Sequence, residues 1–159
     1  MQKLLMLKHY IPYLISDYVQ KFNIVRPLTY PESLIEMMER GDIHIVIKDT
    51  HEVFSAITLN QDRIRYRVNS ITLSYWLGEA YANKSFMSEA LKALIDEWFQ
   101  SAEYDVISAR VFTGNESSHK LLKKLGFVQE GFLKHAACDY YDVIHDLSLY
   151  VKFRKPTSV

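Results

Sequence analysis

The clearest hydrophobic pattern in the chain runs from Ser70 to Ser101, where the period of the apolar positions changes once. Ile71, Leu73 and Tyr75 alternate with Thr72, Ser74 and Trp76. A period of two, rich in β-branched and aromatic residues, predicts a strand ending near Leu77. Gly78 to Ser85 is small and polar and predicts a tight turn. From Phe86 onward, Met87, Leu91, Leu94, Ile95 and Trp98 fall on one face at helical spacing, with Lys92, Asp96 and Gln100 elsewhere. A strand feeding a helix through a short turn leaves unpaired N–H groups at the positive end of the helix dipole. That makes the turn a candidate phosphate site.

The rest of the chain fits around this unit. Lys3 to Leu7 predicts a first strand, His9 to Phe22 a helix, and Glu32 to Arg40 a second helix that Pro31 opens and Gly41 ends. Ile43 to Lys48 and Val53 to Asn60 predict a hairpin about the turn Asp49 to Glu52. Asp105 to Phe112 predicts a buried strand interrupted by Arg110. Asn115 is a good N-cap for a helix through Leu125, with Gly126 at its C′ position. Phe127 to Leu133 and Asp142 to Phe153 predict the last two strands, with His135 to Asp139 between them. The order β-α-α-β-β-β-α-β-α-β-β predicts a single α/β domain over 1–159, a mixed central sheet flanked by helices.

Composition narrows the classes of function. The chain has 159 residues, 48% hydrophobic and 24% charged, enough for one soluble domain with a substantial core. Lys plus Arg and Asp plus Glu are 19 each, so no overall field collects nucleic acid. The exception is local. Arg63, Arg65 and Arg67 share a face if their stretch is extended, either as solvated charges that deter edge pairing or as a patch for an acidic acceptor. The one cysteine, Cys138, makes neither an internal disulfide nor a cysteine zinc site, and no metal site is expected. No apolar run spans a bilayer and no signal peptide is legible, so no membrane partner is expected and the expected location is the cytoplasm.

Several segments together carry a resemblance. YWLG at Tyr75 to Gly78, the helix opening Ser88-Glu89-Ala90-Leu91, ARVF at Ala109 to Phe112, the run from Asn115 through Ser118 to Leu125-Gly126-Phe127, and YYDV at Tyr140 to Val143 occur in this order. In these the chain resembles the GNAT acetyltransferases, within them the RimJ/RimL-like branch that acetylates ribosomal proteins and N-termini. The likeness is good from about Val53 to Val151 and weak before it.

The resemblance implies an acyl-CoA cleft between splayed central strands, with acetyl-CoA as cosubstrate. The acceptor would be a primary amine, a protein N-terminus or a small amine, and the assembly a monomer or homodimer. It implies that Tyr75, Trp76 and Leu77 meet the pantetheine arm and that the Leu77 N–H polarises the thioester carbonyl. The turn N–H groups of Ala82, Asn83, Lys84, Ser85, Phe86, Met87 and Ser88 would wrap the pyrophosphate. Asn115 would line the cofactor, and Ser118 would both line it and serve as leaving-group acid, the family's alternative tyrosine position being Leu122.

Two departures from the family pattern stand out. Ala82, Ser85 and Met87 replace a Gln/Arg, a Gly and a second small residue, which predicts a weaker or altered grip on the phosphates. Ser is small and Asn tolerates left-handed φ, so a cradle survives. Thr72 stands where relatives carry a Glu general base, leaving Glu79, His135, Asp139, Tyr140 and Tyr141 as substitutes. The competing expectation is a GNAT-like module that binds CoA, a metabolite or a protein without catalysis.

Overall fold

The computed structural model describes residues 4–7, 43–47, 53–139 and 141–155. Within them seven strands form one sheet: β1 (Leu4–Leu7), β2 (Ile43–Ile47), β3 (Val53–Gln61), β4 (Ser70–Leu77), β5 (Val106–Phe112), β6 (Val128–Cys138) and β7 (Ile144–Phe153). The helices are α1 (Phe86–Gln100) and α2 (Glu116–Lys124), with a 3-10 turn at Glu79–Tyr81. The helices expected at 9–22 and 32–40 lie outside the described residues.

Strand order is β1-β2-β3-β4-β5-β7-β6, and β4–β5 is the parallel pair in an otherwise antiparallel series. A parallel pair needs a crossover, and α1 supplies it. The buried face of α1, with Met87, Ala90, Leu91, Leu94, Ile95 and Trp98, packs with Ile57, Leu73, Ile107, Ala109 and Val111 of the sheet. Each such side chain contributes about 1.5–3 kcal/mol when fully buried. This packing fixes the start of α1 against the end of β4. α2 adds Leu122 to the same core and is followed by Leu125 and Phe127. Gly126 ends it at φ 82, its N–H donating to the Lys123 carbonyl while the Phe127 N–H donates to the Leu122 carbonyl.

Two expectations are corrected. β6 does not stop at Leu133 but runs to Cys138, through an irregularity between Leu133 and Ala137 where His135 takes φ 49 and donates its N–H to Asp146 Oδ1. A bulge keeps a strand paired across residues that break its period. The tight turn comes after it, organised by buried Asp139. That carboxylate accepts from the Tyr141 and Val143 N–H groups at 2.8 and 3.0 Å and meets His145 Nε2 at 2.7 Å.

The second correction concerns the arginine stretch. Residues 63–68 form successive bends, with Arg67 at φ 57, so the three arginines do not share a strand face. Asp62 is the cause. Its buried carboxylate accepts from the Ile64 N–H at 2.9 Å and from Arg65 Nη1 at 3.1 Å, and Arg65 reaches on to Glu130. Burial pushes the Asp62 carboxyl up, but the Ile64 N–H and the Arg65 guanidinium together hold it below the usual carboxylate range.

Candidate active site

β4 and β5 pair from Ser70↔Val106 to Leu73↔Ala109 and then part. Beyond that point β4 continues beside β3 as far as Ser55↔Leu77, and β5 beside β7 as far as Phe112↔Leu147. The gap is therefore a fork inside the sheet, not a sheet edge.

Four hydrogen bonds, to three carbonyls, settle which way the β4 backbone points there. The Asn69 carbonyl accepts from the Asp105 and Val106 N–H groups, and the Ile71 carbonyl accepts from Ser108 Oγ, both on the β5 side. The Trp76 carbonyl accepts from Ser55 Oγ on the β3 side. Backbone groups alternate along a strand, so odd-numbered residues of β4 face β5 and even-numbered ones face β3. Past Leu73 the odd-numbered residues are Tyr75 and Leu77. Their N–H and C=O groups open into the fork, where a chain of amides has donors and acceptors to meet. Trp76 turns its own toward β3.

The turn after β4 has the backbone shape that glycines usually supply. Asn83 and Ser85 both sit in the left-handed region, at φ 61 and φ 62. Ser85 is the N-cap of α1 yet makes no side-chain cap bond, and the first helical bond runs from the Glu89 N–H to its carbonyl. The N–H groups of Met87 and Ser88 thus lie ahead of the first intrahelical bond. Ala82, Asn83, Lys84 and Ser85 are exposed. The Lys84 ammonium lies over the Tyr81 ring, 5.5 Å from its centroid. Met87 departs from the steric expectation. Its side chain is 3% exposed in the core, so it does not crowd the outer face of the turn.

Across the fork stands the first turn of α2. Asn115 Oδ1 accepts from the Ser118 N–H at 3.1 Å and caps the helix. The cap uses the backbone of Ser118 and leaves its hydroxyl available. That hydroxyl lies beside Tyr75 and bears on its ionisation: burial pushes the phenol up, against a smaller downward pull from Ser118. The Tyr75 hydroxyl is buried and completes no well-formed hydrogen bond. The structure thus brings together Tyr75, Leu77, Asn115 and Ser118 about one gap, with the turn from Ala82 to Ser88 at its far end. The Tyr75 side chain was missed in the sequence, where only its backbone had a part. The neighbouring His119 is engaged elsewhere, 2.9 Å from the Tyr150 hydroxyl and 3.3 Å from the Thr113 carbonyl.

The substitutes for a strand carboxylate fare unevenly. Asp139 is occupied by its turn, and the His145 hydrogen bond holds its carboxyl low, against burial and with help from the Val143 and Tyr141 N–H groups. His135 and Tyr141 are exposed on the β6–β7 hairpin, and Tyr140 lies outside the described residues. Thr72 is buried and shares its hydroxyl with Ser108 at 2.8 Å. Among the described residues no cluster of His, Cys, Asp or Glu could hold a metal, and no helix is long and apolar enough to cross a membrane.

Comparison with known proteins bears on this geometry. Residues 16–128 match the family model described as acetyltransferase (GNAT) domain. The chain is 32% identical over 138 residues to the ribosomal-protein-serine acetyltransferase of Escherichia coli K12, covering 86% of this chain and 74% of that one. It is 37% identical over 90 residues to the uncharacterized N-acetyltransferase p20 of Bacillus licheniformis, covering 57% of this chain but only 49% of that relative's length. Among solved structures, RimL, a ribosomal L7/L12 α-N-protein acetyltransferase in complex with coenzyme A, superposes with a TM-score of 0.63 at 22% identity, covering 75% of this chain and 66% of that one. A forked sheet with one parallel pair, a helix opening at the fork and a family match over residues 16–128 agree, and the chain belongs to the GNAT acetyltransferase family, on its RimJ/RimL-like branch.

Proposed function

We propose that the chain transfers an acetyl group from acetyl-CoA to a primary amine, preferably an α-amine such as a protein N-terminus. The observation that carries this reading is the fork: Tyr75 and Leu77 backbone groups that no described strand pairs at one end, and the Met87 and Ser88 N–H groups at the start of α1 at the other. An amide-bearing arm ending in a diphosphate is complementary to both, since amides pair with strand backbone and phosphates with a helix N-terminus. Acetyl-CoA supplies the activated acyl group.

The roles of the residues follow from position. The Leu77 N–H donates to the thioester oxygen as negative charge grows there. The amine nitrogen forms a bond to the carbonyl carbon, the C–S bond breaks, and the sulfur leaves as a thiolate. Ser118 relays a proton from solvent to that thiolate, its hydroxyl regaining the proton it gives, and solvent receives the proton the amine loses. An α-amine has a pKa of about 7.7–8.0 against about 10.4 for lysine, so much of it is neutral near pH 7.5 and needs little help from a base. The missing β4 carboxylate therefore selects for α-amines.

That absence also supports a second reading, a CoA-binding module without turnover, because the Thr72 hydroxyl already serves Ser108. Calorimetric titration with acetyl-CoA, CoA and dephospho-CoA, followed by acetylation of N-terminal peptides, separates the two. Micromolar acetyl-CoA binding with peptide acetylation is the expected result. Binding without transfer to any amine favours the module, and no binding removes both.

A further inference from the structure

We propose that the acceptor is an acidic one: an amine-terminated peptide with a carboxylate side chain at its second or third position, held by Arg63 and Arg110. The inference rests on the reading above and adds the substrate class.

A cavity of about 440 Å³ is lined by Asn60, Gln61, Arg63, Thr72, Leu73, Ser74 and Arg110. Leu73 is the last residue of β4 paired to β5, and Ser74 and Arg110 are the first on each strand beyond that pairing. The cavity therefore opens at the crotch of the fork. Leu73 packs with α1, so Thr72 and Ser74 point to the opposite face of the sheet, away from α1 and α2. An amine entering from this face approaches the fork from the side opposite α1 and α2.

The chemistry of the walls is one-sided. Arg63 and Arg110 bring two guanidinium groups, and among the described residues no carboxylate lines the cavity. Neither arginine makes an ion pair or hydrogen bond among the described residues. The contrast with Arg65, spent on Asp62 and Glu130, is direct. Asn60, Ser74 and Gln61 add neutral polar groups. Two guanidiniums in a concave site, without a carboxylate partner among the described residues, favour an added carboxylate, which takes paired N–H donors from each. Ser74 lies three residues before Leu77, about 10 Å along the strand. That matches the span from an α-amine to a carboxylate on the next one or two residues of an extended peptide.

The test is calorimetric titration of the CoA-saturated protein with the peptides Ser-Glu-Ala-Ala and Ser-Gln-Ala-Ala, both amidated at the C-terminus. The glutamate peptide should bind about tenfold to a hundredfold more tightly, the range of one charge-assisted contact. Arg63→Gln with Arg110→Gln should erase the preference while CoA affinity and melting temperature hold. Arg110→Lys should restore part of it. Equal affinities in the wild type, a preference that survives the double substitution, or no binding of either peptide overturns the proposal. Acetylation of both peptides with equal affinity removes this subsite and leaves the transferase standing. A carboxylate preference without acetylation does the reverse.

Discussion

Thr72 and Ser108 share a hydrogen bond between hydroxyls 2.8 Å apart, one residue before β4 and β5 separate. Both are buried, and Ser108 also reaches the Ile71 carbonyl. The pair acts as a rivet at the base of the fork. Thr72→Val keeps the shape and removes one partner, and Ser108 retains its bond to Ile71. Stability should fall by about 0.5–1.5 kcal/mol in urea denaturation, with peptide acetylation per folded molecule unchanged. A large loss of turnover would give Thr72 a part in the chemistry.

Ser118 and Asn115 divide their labour, because the cap runs from Asn115 Oδ1 to the Ser118 N–H. Ser118→Ala keeps that bond, so melting temperature should hold while kcat falls about a hundredfold, the scale of one positioned acid. Asn115→Ala should cost about 1 kcal/mol of stability. Loss of stability in Ser118→Ala comparable to that in Asn115→Ala would return Ser118 to a structural role.

Ser85 holds φ 62 and ψ 3 without a side-chain cap bond. Left-handed backbone costs a non-glycine residue about 1–2 kcal/mol, and glycine relieves that cost while losing about 0.5–1 kcal/mol to extra freedom when unfolded. Ser85→Gly should therefore leave stability nearly unchanged and tighten acetyl-CoA binding by removing a side chain from the outer face of the turn. Met87→Ala is a different experiment, since burial of Met87 predicts a cavity costing about 2–5 kcal/mol. Equal acetyl-CoA affinity in wild type and Ser85→Gly would show that phosphates do not approach at Ser85.

The β6–β7 turn should be acid-sensitive. The Asp139 carboxyl is held low, first by His145, and the unfolded chain offers an Asp near pKa 3.9. A group whose pKa is lower when folded adds stability that is complete above the unfolded value and disappears as pH falls through the folded one. Asp62 works in the same direction in its own bend. The urea midpoint should drop on acidification below about pH 4, and Asp139→Asn should flatten part of that drop. An unchanged acid branch in Asp139→Asn would place the sensitivity elsewhere.

How far the sequence disclosed this fold depends on how local each cause is. Ile71 to Leu77 and Phe86 to Gln100 were legible because period and burial coincide over many residues. The left-handed turn was legible at Asn83, because Asn tolerates that backbone, but not at Ser85, which was read only as small. The course of β6 past Leu133 was not, since a bulge breaks the alternation that marks a strand. The arginine stripe misled because alternation implies one face only if the chain is extended, and Asp62 bends it. Met87 was read against the turn, although its place in the apolar stripe of α1 had already assigned it to the core. Arg110 was visible only as an interruption in an apolar strand. Its neighbour Arg63 is far away in sequence, and no one-dimensional pattern joins them.

The fork has a further consequence for how this sheet meets other molecules. Unpaired strand backbone normally recruits whatever extended chain diffuses past, and proteins guard outer edges against it. Here the bare stretch at Tyr75 and Leu77 is recessed, with β3 on one flank and β5 diverging on the other. A chain that pairs with it must enter the sheet rather than extend it, as a strand added at an outer edge would. The sheet thus keeps its adhesive stretch of backbone away from the outer edges, where strands pair between molecules.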